Sequence, residues 1–170
     1  MAEIATVMMG ARDKIVAKAK ELAIKYRDSA YYSPKKQGDA VRDTSNFDCS
    51  YFVYLVFVEV FSAYKYLNTA AIQTSPDFKK VDAGAPGDLI FFPAGQVPYA
   101  VKKKDNKVYP NHVGVLLDAH SWVGRQSSSL GIVLLSNPWW GSRTTEYYRH
   151  VKIDAAQARA NGSNLRKYFA

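Results

Sequence analysis

Residues 46–63 of the chain read NFDCSYFVYLVFVEVFSA. From Tyr51 onward the segment is apolar on almost every side, a pattern that a buried helix and a buried strand can both show. A length above about ten residues favours the helix, so we predict a central buried helix over Tyr51–Ala63. Asn46 or Asp48 can cap its first turn, which places Cys49 at or beside the positive end of the helix.

A second helix is predicted nearer the N-terminus, over Ala11–Arg27. Its apolar residues Ile15, Ala19, Leu22 and Tyr26 are spaced by four, three and four positions, so they share one helix face. The stretch Tyr31 to Asn46 is rich in Ser, Pro, Lys, Gly and Asp and has no periodicity, which indicates an exposed loop leading into the central helix.

Short apolar runs bounded by turn residues predict about five strands in the second half of the chain. The predicted strands are Asp88–Phe92, His112–Leu117, Trp122–Ser127, Gly131–Ser136 and Tyr147–Ile153. A polar, lysine-rich excursion, Ala94 to Pro110, separates the first two, and a short helix is predicted from Asp154 onward. Helices followed by antiparallel strands indicate an α+β fold, and we predict a single domain over residues 1–170.

Composition excludes several classes of protein. The chain has 170 residues, a formal net charge of +8 and one cysteine, which rules out an internal disulfide or a multi-cysteine metal site. No apolar run is long enough to span a bilayer, and the N-terminus does not resemble a secretory signal, so we expect no membrane insertion. The charge favours a polyanionic partner, which nucleic acid, anionic lipid and cell-wall polymer could each provide, although scattered lysines also serve solubility alone. Of these we expect the cell wall and not nucleic acid to be the partner.

Cys49 is the candidate nucleophile. A free cysteine is more often buried than reactive, but a helix N-terminus and a neighbouring imidazole both favour the thiolate. His112 opens a predicted strand directly after a loop and is the best candidate for the base. His120 lies in a predicted turn and His150 among aromatic residues of a strand, so solvation and packing explain them more simply.

Gln126 is the candidate for orienting His112. If the hairpin turns near Ala119 and His120, antiparallel pairing places His112 opposite Gln126 or Ser127. Asp118 is chemically stronger but lies roughly 20 Å along the strand from His112, and we set it aside. The sequence contains no phosphate loop, zinc-ligand spacing or Gly-x-Ser-x-Gly elbow, so we expect no metal and no cofactor.

Three segments in order resemble a known family. They are Phe47-Asp48-Cys49-Ser50 with the apolar helix behind it, Gly87-Asp88-Leu89-Ile90-Phe91-Phe92, and His112-Val113-Gly114-Val115-Leu116. Together they resemble the NlpC-type papain-like peptidoglycan hydrolases, over about Ala17 to Arg149.

The resemblance implies a papain-like α+β core in which the nucleophile helix packs on a mostly antiparallel sheet. It implies that Cys49 attacks an amide carbonyl of a peptidoglycan stem peptide and that His112 acts first as base and then as acid. The family most often has His as third residue on the next strand, where this chain offers Gln126.

The resemblance also implies substrate-binding residues. A tyrosine upstream of the nucleophile is matched by Tyr31 or Tyr32, and Asp48 and Ser50 flank Cys49. Trp139 and Trp140 lie in a predicted loop, where packing and substrate contact are equally good explanations. The family's connection before His112 is shorter than Pro93 to Asn111, so this insertion is expected to gate the cleft, contact substrate or dock an inhibitor.

The chain is also similar to type VI secretion amidase effectors and to phage lysins, which lyse other bacteria. That similarity implies action in the periplasm or wall of a target cell, with delivery by secretion or lysis. For an effector it further implies a cognate immunity protein over the Cys49 cleft. Two alternatives stay open: a papain-like acyltransferase or deamidase, and a non-enzymatic basic module that binds cell-wall polymer or nucleic acid.

Overall fold

A computed structural model describes residues 10–34, 43–99 and 107–154. It confirms the α+β class, with helices packed against a mostly antiparallel sheet. Within those ranges, no helix combines the length and apolarity that crossing a bilayer requires. Of the helix predicted from Asp154 onward, only Asp154 lies within the described ranges. Residues 151–154 are helical, so the strand predicted over Tyr147–Ile153 ends at His150.

Both predicted helices are present. Helix α1 spans Ala11–Lys25 and buries Ile15, Ala19 and Leu22, members of the predicted apolar face. Helix α2 spans Cys49–Val60, so it begins at the cysteine itself, two residues earlier than predicted. Two short helices, α3 (Thr69–Thr74) and α4 (Pro138–Gly141), were not predicted, because each is too short to show a helical period.

The strands form two sheets. A small parallel pair joins β1 (Ala30–Tyr31) to β2 (Asn46–Phe47), so both ends of the predicted loop are short strands. The main sheet has six antiparallel strands in the order β3-β8-β4-β5-β6-β7. These strands are β3 (Phe78–Val81), β4 (Leu89–Phe92), β5 (His112–Leu116), β6 (Ser121–Arg125), β7 (Leu130–Leu134) and β8 (Glu146–His150).

Strand β3 is the sixth strand, which the prediction of about five omitted. It lies at the edge of the sheet and pairs only with β8 among the described strands. Its central residues Lys79 and Lys80 are exposed. Charged residues are common on edge strands, since they discourage further pairing, and they remove the apolar signal on which strand prediction depends.

The sheet has an apolar layer on each face. Helices α1 and α2 cover one face, where Leu89, Phe91, Val113 and Val115 belong to the larger core. The opposite face carries a smaller cluster of Ile90, Phe92, Leu116 and Trp122, against which Trp140 packs. Alternation along β4 and β5 therefore sends neighbouring residues to different layers.

Asp88 ties the first helix to the sheet. Its buried carboxylate accepts hydrogen bonds from Arg12 Nη1 at 3.0 Å and from Arg149 Nε and Nη2 at 3.0 and 2.8 Å. The preceding Gly87 has a φ of 89°, a conformation that favours glycine. The Gly-Asp pair before β4 thus has a structural role, which fixes α1, β4 and β8 relative to each other.

Candidate active site

Cys49 is the first residue of helix α2. Asp48 caps the helix by accepting a hydrogen bond from the Tyr51 backbone N–H at 3.1 Å, as the sequence predicted for one of two candidates. Backbone N–H groups of Val113, Ser50 and Cys49 point to the thiol. The sulfur therefore lies where the start of the helix meets β5, one residue beyond His112.

Burial is the dominant influence on the thiol. Cys49 is 7% exposed, and burial followed by the nearby Asp48 carboxylate raises its pKa to about 12, against the lowering effect of the backbone N–H groups. Burial therefore opposes the thiolate that the helix N-terminus favours. The sequence could suggest the helix start but not the depth of burial.

His112 is the first residue of β5 and is also buried. Its ring lies between aromatic side chains, with centroid distances of 4.8 Å to Trp140, 5.7 Å to Trp122 and 6.2 Å to Phe92. Burial, with a further contribution from the positive charge of Arg143, lowers the pKa of His112 to about 3. The resting imidazole is therefore neutral and able to accept a proton.

Gln126 lies where the hairpin argument placed it. Strands β5 and β6 pair Leu116 with Trp122 and Val115 with Val123, and continuing that register puts Gln126 opposite His112. The Gln126 side chain acts on the imidazole as an acceptor that raises its pKa. Even so, Gln126 Oε1 and His112 Nε2 are buried and lack a well-aligned hydrogen bond among the described residues.

Asp118 is excluded from the site by its own contacts. It lies in the turn between β5 and β6, where its carboxylate accepts from the backbone N–H of His120 at 2.8 Å and from Ser121 Oγ at 3.0 Å. These bonds close the hairpin. His120 is exposed in the same turn, as predicted.

Cys49 lies at the junction of two adjoining lobes of one cleft. Tyr31, Cys49, Pro110 and Asn111 line both lobes. The first, which we call the aromatic lobe, has a volume of about 430 Å³. Its further lining includes Tyr109, His112, Gln126, Trp139, Trp140 and Arg143. The second, the polar lobe, is lined further by Asp48, Ser50, Tyr66, Asn68 and Thr69.

The model of the NlpC/P60 family matches residues 32–149. The chain belongs to the NlpC/P60 family.

The fold of this NlpC/P60 chain is similar to that of a solved structure. A protein similar to a lipoprotein of the NLP/P60 family, from Staphylococcus aureus subsp. aureus Mu50, has a TM-score of 0.53 and 22% identity. That match covers 79% of this chain and 41% of the other, so the chain spans about two fifths of the larger protein. The NlpC/p60 domain of the peptidoglycan hydrolase SagA has a TM-score of 0.45 and 20% identity, covering 77% of this chain and 96% of that domain. No curated protein matches the chain.

The predicted substrate-binding residues are divided between the two lobes. Tyr31 lines both, and burial together with the nearby Cys49 and Asp48 raises its pKa. Tyr32 is in the lining of neither lobe. Ser50 Oγ lies 2.9 Å from Tyr66 Oη and 3.3 Å from Asp48 Oδ1.

The predicted insertion, Pro93 to Asn111, has described residues at both of its ends, and those that precede His112 line the cleft. Gly95 and Tyr109 pair through backbone hydrogen bonds of 3.0 and 2.8 Å, and Tyr109 contacts Trp139 at a ring-centroid distance of 5.2 Å. Part of the insertion, residues 100–106, falls outside the described ranges. The insertion therefore supplies a wall of the aromatic lobe.

Arg143 is one of the cleft residues that the sequence did not predict, as are Tyr66, Asn68 and Thr69. It follows α4, and its buried guanidinium contacts the rings of Phe92, Trp139 and Trp140. The only signal in the sequence was a basic residue close after two tryptophans. Within the described residues, no group of His, Cys, Asp and Glu side chains is suited to hold a metal ion.

Proposed function

We propose that this NlpC/P60 domain hydrolyses an amide bond in the stem peptide of peptidoglycan, with Cys49 as nucleophile and His112 as general base and acid. The observation that carries the proposal is the position of Cys49 at a capped helix start, in one cleft with a neutral His112. Membership of the NlpC/P60 family supports the reaction class. Tyr31, Asp48, Ser50, Trp139 and Trp140 contact the substrate from the two lobes.

The reaction begins from a neutral pair. As Sγ of Cys49 bonds to the carbonyl carbon, its proton passes to His112 and the carbonyl electrons move to oxygen. The positive end of α2 favours the negative charge that develops beside it. Collapse breaks the C–N bond, and His112 returns the proton to the departing amine. Water then hydrolyses the thioester, which releases a carboxylic acid and restores the thiol.

Digestion of purified sacculi tests this proposal. Cys49→Ala and His112→Ala should each reduce the release of stem-peptide fragments by at least about 1,000-fold, as for nucleophile and base in other hydrolases. His120→Ala is the matched control: it removes an exposed histidine of the same hairpin and should keep full activity. Circular dichroism verifies that each variant is folded.

Full activity in Cys49→Ala would exclude the covalent mechanism. Mass spectrometry of the products separates the alternatives, because an acyltransferase joins the acyl group to an acceptor other than water and a deamidase releases ammonia without cutting the peptide. Binding to sacculi without any product would leave only the binding module.

We also propose an antibacterial setting, in which the protein acts on the wall of a target cell as an effector or a phage lysin. The net charge of +8 supports it by favouring association with polyanionic wall polymer. For an effector, a cognate immunity protein would cover the cleft. Directing the protein to the periplasm of a sensitive bacterium should cause lysis, whereas Cys49→Ala should not. Survival of cells exporting active enzyme would argue against this setting but leave the hydrolysis in place.

A further inference from the structure

Arg143 is a buried cation in the wall of the aromatic lobe. The whole residue has 6% of its surface exposed to solvent. Nη2 donates to three backbone carbonyl oxygens, those of Pro93 and Pro110 at 3.0 Å and that of Phe92 at 3.4 Å. Within the described ranges, Nε and Nη1 have no protein acceptor. Donor capacity therefore remains on a guanidinium that lines the cleft.

No acidic side chain among the described residues pairs with Arg143. Besides the three carbonyl oxygens, its surroundings include the π faces of Phe92, Trp139 and Trp140, 5.6 to 5.9 Å from Cζ, and the side chain of Tyr109. Burial lowers its pKa, but a guanidinium keeps its charge in proteins. Burying a charge without an opposite charge is costly, so the position is suited to an anion that arrives with a ligand.

Other arginines of the chain have protein partners for their guanidinium groups. Arg125, which is also buried and has no carboxylate partner among the described residues, donates to Ser29 and to the carbonyl oxygen of Gln126. Arg12 and Arg149 are both bonded to the buried carboxylate of Asp88. Arg143 differs because it faces a cavity and not a protein carboxylate. The two lobes also differ in the charge of the residues that line them. The acidic Asp48 lines the polar lobe, whereas the basic Lys107 and Arg143 line the aromatic lobe.

We propose that the Arg143 side of the aromatic lobe binds a carboxylate of the substrate, so that the enzyme selects stem peptides with a free carboxylate close to the scissile amide. This inference rests on the proposed function and names the group that the cleft recognises. The carboxylate has two sources in a peptide, the C-terminal α-carboxylate and a carboxylate that branches from the chain. Charge-assisted hydrogen bonds from Nε and Nη1, in a lobe partly closed to water, distinguish a carboxylate from its amide.

The test uses binding to the full-length Cys49→Ala protein, which removes the nucleophile and stops turnover. The probes are one synthetic stem peptide in three forms: unmodified, with the C-terminal carboxylate as carboxamide, and with the branching carboxylate as carboxamide. Affinity is measured by calorimetry and by tryptophan fluorescence, since Trp139 and Trp140 line the lobe. One amidation should weaken binding by at least about 10-fold, the scale of a lost buried charge pair, and that form identifies the source.

Variants of Arg143 test whether this residue causes the preference for the acid over the amide. In the Cys49→Ala background, Arg143→Gln should bind the acid and the amide equally, while Arg143→Lys should keep part of the preference because the charge stays. Arg12→Gln is the matched control, since it removes a guanidinium outside both lobes and should leave the preference unchanged. The carboxylate site is refuted if neither amidation weakens binding, or if Arg143→Gln retains the full preference.

The outcomes separate this inference from the proposed function. If Arg143→Gln does not fold, the comparison of acid and amide in the Cys49→Ala protein still decides whether a carboxylate is recognised. Carboxylate-dependent binding without hydrolysis by the wild type would support the site and refute the hydrolase. Equal binding of acid and amides, with normal hydrolysis, would refute the site and leave the hydrolase.

Discussion

Burial acts in opposite directions on the two members of the Cys49–His112 pair. It raises the pKa of the thiol to about 12 and lowers that of the imidazole to about 3. Both groups are therefore neutral near pH 7, and in the proposed reaction the proton moves as Sγ attacks. A neutral nucleophile pair resists oxidation and alkylation, because it is the thiolate that reacts.

Alkylation of Cys49 measures this state directly. We expect iodoacetamide to react with the folded protein at pH 7 more slowly than with the same cysteine in urea, and the rate to rise continuously up to about pH 10 because the raised pKa limits the thiolate. Mass spectrometry counts the modified fraction. Fast alkylation that is independent of pH between about 5 and 8 would instead indicate a thiolate–imidazolium pair.

Gln126 is predicted to orient His112 through its amide oxygen. Gln126→Ala should lower kcat by about 10- to 100-fold, since the amide group that faces the His112 imidazole is lost. Gln126→Glu places a carboxylate beside the imidazole and should shift the acidic limb of the kcat/KM profile upward by about 1 pH unit or more. Ser129→Ala is the control, because Ser129 is exposed just after the same strand and lines neither lobe. An unshifted acidic limb in Gln126→Glu would contradict the orienting role of Gln126.

At the scale of the element, helix α2 connects folding to chemistry through Asp48. Its carboxylate caps the helix and at the same time raises the pKa of the adjacent thiol. The cap also explains why α2 begins at Cys49, two residues before the predicted start. The Asp48 carboxylate accepts a hydrogen bond from the first turn, which stabilises a helix that begins at Cys49. Stability and thiol reactivity are therefore opposed at this residue.

Two substitutions separate these effects. Asp48→Asn keeps a capping side chain without the charge, so the free energy of unfolding should change little while Cys49 alkylates faster. Asp48→Ala removes both and should cost about 1 kcal/mol of stability, the usual value for a lost N-cap. Urea unfolding and alkylation rates give the two quantities. Equal alkylation rates in the wild type and Asp48→Asn would show that the Asp48 charge does not affect the pKa of the Cys49 thiol.

At the scale of the whole molecule, the sequence was informative where patterns are local. The spacing of Ile15, Ala19 and Leu22 predicts α1, and the hairpin register predicts that Gln126 faces His112. Strand β3 was missed because two exposed lysines hide it, and Arg143 because its position depends on aromatic residues from β4 and α4. The pKa directions of Cys49 and His112 also lay beyond the sequence, since burial is a property of the assembled fold.

Two buried histidines make the stability of the fold depend on pH. His150 packs on Phe61 at 4.6 Å and Phe78 at 5.1 Å, and burial lowers its pKa to about 4, as it lowers that of His112 to about 3. Both pKa values lie below the ordinary value of 6.5. Below that pH the unfolded chain binds protons that the folded chain excludes, so the free energy of unfolding falls as pH falls.

We therefore expect the free energy of unfolding to decrease by about 1–2 kcal/mol per histidine between pH 6.5 and 4, less than the full shift because solvation and relaxation compensate part of it. His150→Gln keeps an acceptor for the Lys152 N–H, which bonds His150 Nδ1 at 3.1 Å in the wild type, but cannot titrate. It should flatten the pH dependence of urea unfolding over this range, while His120→Gln, at an exposed turn, should not. The same slope in His150→Gln as in the wild type would mean that His150 is not protonated on unfolding in this range and that other groups set the acid sensitivity.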